Sequence, residues 1–162
     1  MPVSSSIANA AVSFKLNADF LKKNLEGLAD EEWVRRPTDS INHILWIVGH
    51  LCCVRSYLLK QLGEDWSKPW LALYGRGKKP DDTVPAPTPQ EAMLAWNESC
   101  ERLSAAMESV SAETLATPST NGPPSPDGML SGVVNFLSYH ETYHLGQASY
   151  IRAWLGHAGV MG

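Results

Sequence analysis

Apolar residues recur every three to four positions in four stretches of the chain, with almost no strict alternation between apolar and polar. That period predicts amphipathic helices and argues against strands. The first stretch runs from about Ser6 to Leu28 and puts Phe14, Leu21, Leu25 and Leu28 on one side. The second takes Ser40 as its N-cap, runs to about Leu62 and is stopped by Gly63. The third follows Pro89, carries Gln90 and Glu91 in its first turn, and presents Met93, Leu94, Trp96, Leu103 and Met107. The fourth runs from about Asp127 to Leu155, with Gly156 after its last apolar residue. Four long amphipathic segments in so short a chain predict an all-α fold, a four-helix bundle.

The punctuation between these segments refines the topology. Pro80, Pro85, Pro87 and Pro89 mark one connection, and four further prolines with two glycines lie between Pro118 and Gly128. Proline removes a helix donor and restricts the residue before it, so both regions are expected to be loops. A second helix over 40–62 would be about 34 Å long, and the connection of about 27 residues after it can span that length again. The second and third helices can therefore run parallel, giving an up-down-down-up order. The same long connection holds Trp66, Trp70 and Tyr74, aromatics placed to cover a site or to pack on a partner subunit.

Size and charge narrow the function classes. At 162 residues the chain is expected to form a single domain over 1–162. Its 13 basic against 17 acidic side chains give a net charge of −4, which speaks against a nucleic-acid or anionic-membrane surface. Three cysteines, with Cys52 and Cys53 adjacent, do not make a disulfide framework. The start, Met1-Pro2-Val3-Ser4-Ser5-Ser6, lacks the basic and apolar regions of a signal peptide. The longest strongly apolar run, Ile44–Val48, is far below the roughly 18 residues of a membrane span. A soluble, cytoplasmic protein is the expectation.

Candidate chemistry lies in the histidines. His140 and His144 are spaced i, i+4, which puts both rings on one helix face. At 100° per residue, Val133, Leu137, Ile151 and Leu155 fall within about 60° of His140, so the pair lies along a core stripe. The same arithmetic places His50 among Trp46, Ile47, Val54 and Tyr57. Three imidazoles facing an apolar interior are costly unless their nitrogens are satisfied, and one divalent metal ion satisfies them. His43 lies two turns before His50, too far to share that ion, and is expected to be a partly exposed structural residue. His157, at the chain end, is expected to do nothing specific.

Around the three histidines, Gln147, Tyr57, Tyr143 and Cys53 are candidates to bond a ligand histidine or to line the pocket. Glu141 lies about 100° from the His140 direction, which predicts a solvent-facing or capping carboxylate and not a general base. No catalytic residue beyond the metal ligands can be assigned from the pattern.

The chain resembles the DinB-like family, which includes YfiT-type proteins and bacterial low-molecular-weight-thiol transferases. The resemblance rests on Ser40-Ile41-Asn42-His43-Ile44-Leu45-Trp46-Ile47-Val48-Gly49-His50-Leu51 and on His140-Glu141-Thr142-Tyr143-His144-Leu145-Gly146-Gln147. Trp33 with Arg36-Pro37, Tyr74-Gly75-Arg76-Gly77 and Ile151-Arg152-Ala153-Trp154-Leu155-Gly156 add to it. It implies an up-down-down-up bundle, often a homodimer, with His50, His140 and His144 on one divalent ion, zinc or nickel first. It also implies a range of reactions: thiol transfer, isomerisation of thiol adducts, or hydrolysis. The leading expectation is a metal-dependent transferase with a small thiol as co-substrate and nucleophile. Two alternatives are a hydrolase using metal-activated water and a non-catalytic metal- or ligand-binding stress protein.

Overall fold

A computed structural model describes residues 3–78 and 85–160. Met1 and Pro2 of the chain start, Pro80, and the middle of the long second connection lie outside the described residues. The described chain is all-helical: α1 (Ala8–Leu25), α2 (Ile44–Gln61), α3 (Pro89–Ser109), the single turn α4 (Ala112–Leu115) and α5 (Leu130–Trp154). Two 3-10 turns, Asp30–Val34 and Pro69–Tyr74, lie in the first two connections. No strand occurs among the described residues; Pro118 and Met129 form an isolated bridge that closes the loop before α5.

The helix ends follow from local chemistry. Gly63 at φ 92° closes α2, with Glu64 N–H donating to the Leu59 carbonyl (2.9 Å) and Gly63 N–H to that of Lys60 (3.2 Å). Gly156 at φ 93° ends α5 by the same pair of bonds, from His157 to Arg152 and from Gly156 to Ala153. Both are Schellman closures, in which a left-handed glycine lets the last carbonyls find donors. At the start of α3 the Thr88 hydroxyl accepts from Glu91 N–H and the Glu91 carboxylate accepts from Thr88 N–H, a capping box beside Pro89.

Two starts differ from expectation. The N-cap of α2 is His43, whose Nδ1 accepts the Trp46 N–H at 3.1 Å; Ser40 instead bonds Thr38 in the preceding turn. The fourth predicted segment begins at Leu130, because Asp127 stays outside the helix. Its carboxylate accepts from Met129 N–H and from the Ser131 hydroxyl, which ties the preceding loop to the start of the helix. Gly132 leaves room for this, since a Cβ there would collide with the Asp127 and Ser125 side chains.

Each long helix packs against two others: α1 against α5 and α3, and α2 against α3 and α5. Hydrogen bonds show the register. On α1 and α5 the numbers climb together, from Ser6–Asn135 through Asn17–Ser138 and Asn24–Ser149 to Glu26–Arg152. Ile7, Phe14, Leu21, Ile47, Trp96 and Leu145 are among the buried residues at the centre. Leu94 departs from the expected apolar face of α3 and is 62% exposed. Among the described residues no helix is long and apolar enough to cross a membrane.

Candidate metal centre

Two helices bring the three inward histidines together. His50 comes from the middle of α2 and is 6% exposed; His144 is 7% exposed and His140 half-buried, both on α5. Their Nε2 atoms converge: His140 to His144 is 3.2 Å and His140 to His50 is 3.5 Å. One ligand atom from each of the three lies within 4.8 Å of the others, and among the described residues this is the group with that property.

The opposite ring nitrogens decide what those Nε2 atoms are. His50 Nδ1 lies 2.7 Å from the Tyr74 carbonyl oxygen, which can only accept, so Nδ1 carries the proton. His144 Nδ1 lies 2.8 Å from Gln147 Oε1 and donates to it, while Gln147 Nε2 donates to the Tyr143 hydroxyl at 3.2 Å. In both rings Nε2 is therefore a bare lone pair. Burial lowers the pKa of His50, and it pushes His140 and His144 down to about 4, with neighbouring His50 adding to the shift. At neutral pH all three rings are uncharged, the form that binds metal. Four nitrogens around an ion at about 2.0–2.1 Å sit roughly 3.3–3.4 Å apart in a tetrahedron, which the observed spacings bracket. The Nδ1 of His140 is buried without a partner. The donor set fits a divalent cation.

The walls explain why the rings stand where they do. Trp46, one turn before His50, stacks on it at 4.7 Å between centroids and 12° between planes. Tyr74 reaches His50 because the 3-10 turn Pro69–Tyr74 packs on α2 at Gly49; a Cβ on Gly49 would lie 2.6 Å from the Tyr74 ring. A family model described as the DinB superfamily matches residues 14–148, a span that includes all three histidines. The chain belongs to the DinB superfamily. No curated protein matches its sequence.

For this DinB-superfamily chain the structure also places the other expected residues. Gln147 is at the site, bonded to His144, and Tyr143 is linked through Gln147, with its ring 5.3 Å from that of His144. Tyr57 points its hydroxyl at Gly122 in the connection before α5, and Cys53 is half-buried against the core with its thiol pKa raised by burial. Neither joins the cluster. His43 is half-buried at the α2 cap, as expected of a structural residue.

Two expectations are corrected. His157 has a definite partner, the Glu32 carboxylate at 3.0–3.1 Å, which ties the end of the chain to the first 3-10 turn. Glu141 does not face solvent: it is 1% exposed and accepts two bonds from Arg55, at 2.8 and 2.9 Å. The reason is packing on both flanks of α5, against α1 and α2, so a 100° step from the histidine stripe is still interior. The sequence held the signal. Arg55 is the lone charge between Ile44 and Leu59, and Glu141 the lone charge between Leu130 and Ile151. The Tyr74 carbonyl was marked only by Gly49, a glycine inside an apolar helix, which signals a close approach. A separate cleft of about 560 Å³ between α1 and α3, lined by Phe14, Leu103 and Met107 among others, includes none of the histidines.

Proposed function

We propose that the protein is a metal-dependent transferase that uses a small cellular thiol as nucleophile at a three-histidine centre. The observation that carries the metal is the convergence of three Nε2 atoms, two of them fixed as bare lone pairs by Tyr74 and Gln147. A divalent ion there supplies Lewis acidity, lowering the pKa of a thiol, or of water in the hydrolytic alternative. The choice of a thiol follows the family resemblance.

The chain's own residues hold and shield the centre. His50, His140 and His144 bind the ion; Tyr74 and Gln147 orient two of them; Trp46 covers His50 on its stacked face. The helices are read as an up-down-down-up bundle. The climbing register of α1 on α5 supports parallel first and last helices. A homodimer and a cytoplasmic location belong to the same reading.

The test is an assay of metal-loaded protein with a panel of thiols and electrophiles, beside ester and amide substrates. Thiol-dependent turnover lost on chelation is the expected result. Turnover without thiol points to the hydrolase, and no turnover with metal bound points to a binding protein; either outcome rejects the transferase.

A further inference from the structure

Arg55 and Glu141 take no part in the histidine cluster, yet they lie on the two helices that carry it. Arg55 follows His50 by five residues on α2, and Glu141 directly follows His140 on α5. The guanidinium gives Nε to Oε2 at 2.8 Å and Nη2 to Oε1 at 2.9 Å, a bidentate pair between side chains 1% and 2% exposed. Its carbon also lies 4.0 Å from the ring centroid of Trp96 on α3 and 5.5 Å from that of Phe14 on α1. One side chain thus meets all four long helices.

A buried ion pair is weak evidence of stabilisation. Removing two charges from water costs about as much as their attraction returns, and apolar residues of similar volume often serve equally well. A fork-on-fork contact supplies what an apolar contact lacks, a fixed relative position. Sliding α5 along α2 by a single residue, about 1.5 Å, would stretch both bonds and misalign the fork. The same slide would move the His50–His140 separation of 3.5 Å away from the spacing two ligands take on one tetrahedral ion.

We propose that the Arg55–Glu141 pair is a positioning device for the metal centre: it sets the rotation and register of α5 on α2 so that His50 meets His140 and His144. The inference rests on reading the cluster as a metal centre, and its test separates the two. In the double variant R55M/E141L both charges go and the volume stays. The expected protein is folded and melts cooperatively near the wild-type temperature. Its zinc dissociation constant, by chelator competition, rises at least tenfold, and the visible spectrum of its cobalt form differs from wild type. In metal-free protein the ring-proton NOEs between His50 and His140 weaken. R55K keeps the charge without the fork and is expected to show a smaller change in the same direction; it carries the test if the double variant does not fold. Unchanged affinity, cobalt spectrum and NOEs in a folded variant overturn the proposal. A wild-type protein that binds no metal, while its NOEs still weaken in the variant, overturns the metal reading and supports the positioning role.

Discussion

Gly49→Ala isolates the link from helix packing to the histidine site. The new methyl would lie 2.6–2.8 Å from three carbons of the Tyr74 ring, closer than carbon atoms approach without something moving. The ring must shift, and with it the carbonyl that fixes His50 Nδ1 at 2.7 Å. Alanine inside a helix gains about 1 kcal/mol over glycine, whereas overpacking costs about 1–3 kcal/mol. Net stability therefore changes by only about 0–2 kcal/mol, too little to decide the matter. Metal affinity decides it, because loss of the bond that orients a ligand histidine typically weakens binding about 10–100-fold. Titration of apo protein with zinc against a chromophoric chelator measures this. A folded G49A protein with wild-type zinc affinity would refute the claim that Tyr74, seated on Gly49, positions His50.

Gln147→Leu keeps the helix but removes the acceptor of His144 Nδ1, and about 10–100-fold weaker zinc binding is expected in the same titration. For metal-free protein, the His140 and His144 pKa values of about 4 lie below the unfolded value of about 6.5. The unfolded chain thus takes up protons first: the stability these rings contribute is whole above pH 6.5 and falls as pH drops toward 4. Melting temperatures of wild type and H140A/H144A across that range check this, the variant showing the shallower decline. Gly63→Ala meets no neighbour within 4 Å, so its cost is that of φ 92° alone. That is about 1–2 kcal/mol, read as a fall of roughly 2–8 °C in melting temperature.

The long helices and the three inward histidines were legible because both depend on spacing along one element. Phe14, Leu21 and Leu25 are buried as their periodicity required, and His50 meets His140 and His144 as their helix faces required. What escaped depends on contacts between elements. The Tyr74 carbonyl is a backbone atom 24 residues from its partner and leaves no side-chain pattern. Glu141 was misplaced because a helix packed on two flanks buries more than the stripe its apolar residues mark. Ser40 and His43 are both able to cap α2, and the turn Thr38–Ile41, closed by Ile41 N–H on the Thr38 carbonyl, leaves the start to His43. The one-turn helix Ala112–Leu115 is shorter than any periodicity can register.

Metal content tests the central claim most directly. Protein purified, loaded with divalent metal and desalted is expected to retain about one ion per chain, measured by elemental analysis beside protein concentration. His50→Ala and His144→Ala, each confirmed as folded by circular dichroism, are expected to retain none. Full occupancy in either variant would contradict the assignment of His50, His140 and His144 as the metal centre.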